Sequence, residues 1–267
     1  MIARALTIAG SDSGGGAGIQ QDLKTFQALG VWGMTAVTAV TVQNTIGVSS
    51  FVELPPEIVA AQIEAVTSDI GVDAAKTGML VNESIIEAVA RAVNDAEIVR
   101  LVVDPVFISK HGDPLLHPDS VDALRSVIIP LAMVVTPNAH EAGRLAGGSI
   151  TTRAGQIEAA RAIRALGARA VLVKGGHLEG SEAVDVLATA DGVVEIAGPR
   201  IDSPNTHGTG CMLSAAIAAR LAKGADLETA VRQAKAFVTG AIEHSLTIGK
   251  GIGPVNPSWR MKPDDPS

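Results

Sequence analysis

Short apolar runs that stop at a polar, glycine or proline step recur along this chain, each followed by a stretch of helical periodicity. That alternation constrains the fold more than any other feature. Ala3 to Ala9 reads as a strand, Gly10 to Ala17 as a loop and Gly18 to Leu29 as a helix. Trp32 to Val42 is rich in β-branched residues and predicts a buried strand, with a further strand at Ser49 to Leu54. Pro55 and Pro56 open a helix over Glu57 to Ser68 that turns Val59, Ile63 and Val66 inward. Leu101 to Val103 and Met133 to Val135 end at Asp104-Pro105 and Thr136-Pro137, as buried parallel strands do. A helical stripe of Ile157, Ala160, Ile163 and Leu166 precedes a strand at Ala170 to Val173. Ala183 to Ala188 and Val193 to Ala197 flank Ala190-Asp191-Gly192 and predict an edge hairpin. Helices over Thr209 to Leu221 and Leu227 to His244 close the chain. The pattern predicts an α/β fold with one central, mostly parallel sheet and helices on both faces. With no repeat or interdomain linker, residues 1–267 are read as one domain.

Ligands of such sheets lie beyond the carboxyl ends of the strands, which here carry Gly10, Gln43, Asp104, Asn138 and Lys174. The charge balance of 21 Lys and Arg against 28 Asp and Glu gives a net charge of -7, so no long-range positive field attracts nucleic acid or an anionic membrane. A nucleotide must be captured by local groups. Met1 to Ala9 has no cleavable signal pattern and no window is long enough to span a bilayer, which predicts a cytoplasmic protein. Cys211 is the sole cysteine, which excludes an intrachain disulfide and a multi-cysteine metal site. His111, His117, His140, His177, His207 and His244 lack the spacing of zinc ligands.

The run Gly10-Ser11-Asp12-Ser13-Gly14-Gly15-Gly16-Ala17-Gly18 lets backbone amides approach a polar ligand, or simply makes a tight turn. Ile19 breaks a dinucleotide fingerprint, and no Gly-Lys-Ser/Thr ending completes a Walker loop. Asp22 on the next helix is by default a solvated carboxylate. Asn205-Thr206-His207-Gly208-Thr209-Gly210-Cys211 opens an apolar helix, where free amides and the helix dipole make a cradle for phosphate. The same field favours thiolate at Cys211, which would then accept a proton from a substrate hydroxyl; a packed, unreactive cysteine is the other reading. Asn138 and Glu141 lie one helical turn apart, and Glu141 with Asp104 supplies hard oxygen ligands for a hydrated Mg²⁺ beside a triphosphate. Asn138 also suits a plain helix cap. Lys174, before Gly175-Gly176, suits nucleotide phosphates or an exposed turn, and Gln43 offers an acceptor and two donors to an aminopyrimidine edge or caps a loop.

Thr7-Ile8-Ala9-Gly10-Ser11-Asp12, Gly15-Gly16-Ala17-Gly18-Ile19-Gln20, Asp22-Leu23-Lys24, Gln43-Asn44-Thr45, Lys76-Thr77-Gly78-Met79, Lys174-Gly175-Gly176-His177 and the Asn205–Cys211 stretch together resemble the hydroxymethylpyrimidine kinase family. The blocks keep that family's order through Gly251-Ile252-Gly253-Pro254-Val255. The resemblance implies a ribokinase-like fold, ATP and Mg²⁺, a homodimer, and two successive phosphorylations of 4-amino-5-hydroxymethyl-2-methylpyrimidine in thiamine biosynthesis. Residue by residue, it implies that Gly10, Asp22 and Gln43 bind substrate, with Met79 and Val106 against the ring. Gly208, Thr209, Gly210 and Cys211 would form the anion hole, Cys211 standing where related sugar kinases place an aspartate base. Lys174, Asn138 and Thr209 would hold the nucleotide, and Glu141 and Asp104 the metal. Phe107 and His111 depart from the family pattern in a loop, Asp104 to Leu116, expected to cover the substrate. A pyridoxal kinase and a pyrimidine-binding sensor without catalysis are the competing readings; Cys211 and Gln43 argue against a sugar kinase.

Overall fold

The computed structural model describes residues 1–176 and 182–261; His177 lies outside them. The order of elements is β1 (Arg4–Ser11), α1 (Gly18–Ala28), β2 (Trp32–Gln43), β3 (Val48–Glu53), α2 (Pro56–Asp69), β4 (Ala74–Thr77), α3 (Glu83–Asp95) and β5 (Leu101–Val103). There follow α4 (Val121–Ala123), which lies within an irregular helical stretch, β6 (Val134–Val135), α5 (Ala139–Ala146), α6 (Arg153–Arg164), β7 (Val171–Val173), β8 (Asp185–Ala188), β9 (Val193–Ile196), α7 (Thr209–Ala222) and α8 (Leu227–Glu243).

The nine strands form one sheet in the order β3-β2-β1-β4-β5-β6-β7-β8-β9. Strands β2 through β7 pair in parallel, while β3 and the β8–β9 hairpin are antiparallel at the two ends. Strand alternation divides the core between two faces. Leu6, Ile8, Leu101 and Val103 pack with Val59, Ile63, Ile85 and Ile163 of α2, α3 and α6. Ala5, Val102 and Val134 pack on the other face with Phe26, Ile217 and Val231 of α1, α7 and α8.

Strand β4 and helix α3 were missing from the sequence pattern. Ala74-Ala75-Lys76-Thr77 has weak intrinsic β preference, yet all four residues are buried at the sheet centre, where tertiary packing overrides propensity. The strand β2 is buried less than its composition suggests. Its outer half pairs with β3, and the face carrying Val40, Val42 and Val52 is exposed. Among the described residues, no helix is long and apolar enough to cross a membrane.

The chain leaves β1 toward β2 and β3, then returns to the other side of β1 through β4. Such a reversal opens a crevice beyond the strand ends. The ends of β1, β4, β5, β6 and β7 deliver Gly10, Gly78, Asp104, Asn138 and Lys174 to one cavity of about 610 Å³.

Candidate active site

Two helix starts meet at this cavity. The start of α7 is Gly208, at φ 80°, and no side chain caps the helix. A Cβ on Gly208 would stand 1.9 Å from the Gly16 carbonyl oxygen, and one on Gly18 would stand 2.3 Å from that of Gly10. Glycine is therefore required at both, by left-handed backbone and by close approach, of Gly208 to the loop before α1 and of Gly18 to the end of β1. Gly208→Ala is expected to lower stability by about 3 kcal/mol or more and to abolish turnover. Thermal unfolding checks this, and a melting temperature within about 2 °C of wild type would refute it.

Thr209, Gly210 and Cys211 form the first turn of α7 and line the cavity. Uncapped first-turn amides at a helix N-terminus suit an anion. The glycine-rich loop before α1 is different, since its amides are already committed. Asp12, almost wholly buried, accepts from Gly14 N–H at 2.8 Å on Oδ1 and from Gly16 and Ala17 N–H at 3.0 and 2.8 Å on Oδ2. His207 Nε2 donates to the same Oδ2 from 3.2 Å. Burial alone would raise the Asp12 pKa, but the hydrogen bonds from His207, Gly14 and Ala17 outweigh it and hold the carboxyl below its usual range. The loop is thus a turn built around its own carboxylate rather than a phosphate cradle, although Gly10, Ala17 and Gly18 still line the cavity.

At the other side, Lys174 Nζ lies 3.2 Å from Asp104 Oδ1 and 3.8 Å from Glu141 Oε2. Asp104 also accepts from Thr136 Oγ1 at 3.2 Å and from Ser214 Oγ at 3.3 Å. A Cβ on Gly210 would come 3.4 Å from Lys174 Nζ and 3.8 Å from Asp104 Oδ2, so this ion pair abuts the first turn of α7. Burial works against the Lys174 charge, but Asp104 and Glu141 outweigh it and raise its pKa. Asn138 is a true cap of α5: its Oδ1 accepts from Glu141 N–H at 2.9 Å, and Glu141 Oε2 accepts from Asn138 N–H at 2.7 Å. Burial pushes the Glu141 carboxyl up to about 7, with Asp104 adding to the rise and Lys174 opposing it.

At the third wall, Gln43 Oε1 accepts from Thr41 Oγ1 at 3.2 Å, and its Nε2 lies 3.5 Å from His207 Nε2. The Met79 sulfur would lie 3.0 Å from a Cβ on Gly10, so any larger residue at Gly10 would displace it. Met79 and Val106 both line the cavity. Phe107 is buried beneath the Arg144 guanidinium, 4.7 Å from its ring centre, and His111 Nε2 donates to the Thr45 carbonyl at 2.9 Å. The two departures from the family pattern thus fasten the 104–116 loop to α5 and to the β2–β3 turn.

One expectation is corrected by the structure, and one of two open readings is disfavoured. Asp22 is not solvated, nor does it line the cavity; it is wholly buried, taking hydrogen bonds from Thr7 Oγ1 at 2.6 Å and Lys76 Nζ at 3.1 Å. Cys211 is no resting thiolate. Burial pushes its thiol up to about 12; Lys76 opposes the rise, while Asp22 and Asp104 add to it. The helix field is too weak against this desolvation. Every other residue expected at the site, Gly10, Gln43, Met79, Val106, Asp104, Asn138, Glu141, Lys174 and Gly208 to Cys211, lines the one cavity. Sequence reasoning gave no role to Asp12, His207, Thr41 or Ser214. Only Asp12 carried a local signal, as an Asp two residues before a glycine run, the usual start of an Asx turn.

The family described as phosphomethylpyrimidine kinase matches residues 12–256. A hydroxymethylpyrimidine/phosphomethylpyrimidine kinase from Rhizobium meliloti is 52% identical over 259 residues, covering 96% of this chain and 97% of the relative. One from Haemophilus influenzae is 49% identical over 96% of both chains. Among solved structures, the ADP complex of Bacillus subtilis pyridoxal kinase superposes with a TM-score of 0.92 at 42% identity, covering 98% of this chain and 100% of that one. The Clostridium difficile phosphomethylpyrimidine kinase superposes with a TM-score of 0.80, also at 42% identity, over 90% of this chain and 99% of its own. With the family match spanning nearly the whole chain and the cavity residues converging as described, the chain belongs to the phosphomethylpyrimidine kinase family.

Proposed function

We propose that this protein is a cytoplasmic kinase that transfers the γ-phosphoryl group of ATP to 4-amino-5-hydroxymethyl-2-methylpyrimidine and then to the resulting monophosphate, for thiamine biosynthesis. The observation that carries this reading is the 52% identity to a kinase named for both activities over 96% of the chain. Gln43 would read the aminopyrimidine edge, with Met79 and Val106 against the ring. The first turn of α7 would receive the charge that develops on the transferring group, and Lys174 would pair with the nucleotide phosphates. With its Oδ1 spent on the cap, Asn138 has only its amide NH₂ left to offer a phosphate oxygen. The apolar end of the cavity, formed by Leu213, Val238 and Ile242 of α7 and α8, suits the adenine ring.

Among the described residues no group of three or more His, Cys, Asp and Glu stands ready to enclose a metal. Asp104 and Glu141, two buried carboxylates sharing one lysine, nevertheless fit a hydrated Mg²⁺ whose remaining ligands are water and phosphate oxygens. These two carboxylates would hold Mg²⁺, which would supply neutralising charge to the nucleotide phosphates. The chain's own part is to align acceptor and donor. A loose transition state forms little new bond early, so the hydroxyl proton leaves late, and a thiol that is protonated at rest can hold the acceptor until then.

Purified protein with Mg²⁺-ATP and either the hydroxymethylpyrimidine or pyridoxal, its products resolved by chromatography, tests the reading. Successive mono- and diphosphate formation supports it. Pyridoxal-only turnover moves the assignment to the reading favoured by the 0.92 superposition on pyridoxal kinase, and absence of turnover with both substrates points to a sensor.

The homodimer belongs to the same proposal. One side of the β2–β3 hairpin puts Thr41 and Gln43 on the cavity, while the other exposes Val40 opposite Val52, with Val42 beside them. An exposed apolar face on an edge hairpin suits a second copy. Light scattering is expected to give twice the chain mass, and Val52→Asp to give a folded monomer; a Val52→Asp dimer would place the interface elsewhere.

A further inference from the structure

Among the described residues, Lys76 is the only lysine or arginine with no exposed surface, and nothing in the proposed chemistry uses it. An ammonium carries three donors. One is met by Asp22 Oδ2 at 3.1 Å. Asp22 is equally buried, and its Oδ1 has no hydrogen-bond partner. A pair that served only to tie β4 to α1 would leave costly donors and acceptors unmet in a dry interior, where saturation is the rule. Lys76 belongs to the cavity wall, and a Cβ on its neighbour Gly78 would stand 3.1 Å from Nζ, so the ammonium lies directly under that backbone. Cys211 lies within its field, and Lys76 is the leading influence that favours the thiolate there.

We infer that Lys76 is a positioning residue for phosphoryl transfer: its ammonium, pinned by Asp22, is a fixed positive charge beneath the acceptor end of the cavity, steadying Cys211 and the acceptor as negative charge develops. The catalytic half of this inference rests on the proposed kinase activity. Position and charge are matched to the chemistry because Asp22 sits behind the wall and fixes the lysine from the far side, so that at Cys211 the influence of Lys76 exceeds that of Asp22.

The test compares Lys76→Met with the double variant Lys76→Met/Asp22→Asn, which removes both charges at nearly constant volume. The single variant is expected to melt lower and the double to regain much of that loss. Both are expected to lose kcat by about a hundredfold or more, with KM for ATP changed less than about threefold. Cys211 is the sole cysteine, so iodoacetamide at about pH 9 reports its local field directly, and alkylation is expected to slow about tenfold in the single variant and less in the double, where the opposing Asp22 charge is also gone. Recovery of kcat in the double variant to within about threefold of wild type would make the pair structural only and overturn the inference. Unchanged alkylation in both would overturn it equally. If the wild-type protein forms no phosphorylated pyrimidine, the proposed function fails, while the alkylation rates still decide where the Lys76 charge acts.

Discussion

Replacing Cys211 with alanine is expected to slow phosphorylation of the hydroxymethylpyrimidine about a hundredfold, while phosphorylation of its monophosphate slows less than about fivefold. The two acceptors differ in one respect that this residue can sense. A primary hydroxyl keeps its proton at neutral pH and must lose it during transfer, whereas a phosphate monoester, with its second pKa at about 6, already presents an anionic oxygen. Cys211 lines the cavity in the first turn of α7, and its thiol, pushed up to about 12, stays protonated at rest. It would therefore act by holding the hydroxyl until its proton passes to an oxygen of the transferring phosphoryl group, a task the second reaction lacks. The α7 amides would serve both reactions and survive the substitution. Single-turnover measurements with each acceptor, followed to mono- and diphosphate separately, decide the matter. Equal losses on both steps would mean that Cys211 shapes the anion hole and does not hold the hydroxyl.

The outline of this fold was legible because apolar runs, proline steps and helical stripes repeat in register with the elements they specify, from β5 at Leu101–Val103 to α7 and α8. Strand β4 was not, because two alanines, a lysine and a threonine become a strand only when β1 and β5 close on both sides. The same gap hid Lys76, whose burial depends on a partner 54 residues away in sequence. Asp22 was misplaced for the matching reason: a carboxylate in a helix is solvated by default, and only the position of β4 brings it a cation. The uncapped helix start at Gly208 to Cys211 was readable because it is local, a property of glycine at a helix start. Whether the glycine-rich loop cradles a ligand or only turns was open from sequence, because the choice rests on Asp12, which claims its amides, and on His207, 195 residues away, which holds Asp12. The roles of Asn138 as cap and site residue were both open from sequence, and the capping box shows how Glu141 is aimed into the cavity by the same bonds that start α5.

Glu141→Gln is expected to stabilise the nucleotide- and metal-free protein at pH 8 by up to about 3 kcal/mol, raising its melting temperature by about 5 °C, while impairing the use of Mg²⁺. The carboxyl at Glu141 is raised from 4.5 to about 7 by burial, against only one cation shared with Asp104. Below about pH 4.5 it is protonated in both folded and unfolded chains and contributes no pH dependence. Between about 4.5 and 7 the folded protein holds a proton that the unfolded chain has released, so stability from this group falls as pH rises. Above about 7 the loss is complete, and it is this loss that glutamine removes, since the amide oxygen can still accept from Asn138 N–H in the capping box. The wild-type and variant stability curves should therefore meet near pH 4.5 and diverge to a constant gap above pH 7. A variant less stable than wild type at pH 8 would mean that the ionised Glu141 and Lys174 form a net stabilising pair. The same substitution is expected to raise the Mg²⁺ concentration for half-maximal rate about ten- to a hundredfold. On the proposed function, an unstable carboxylate in the free protein would be a ligand held in readiness: the cost of its burial would be relieved when a cation and the nucleotide phosphates arrive, and part of it would reappear as discrimination in favour of metal-loaded ATP.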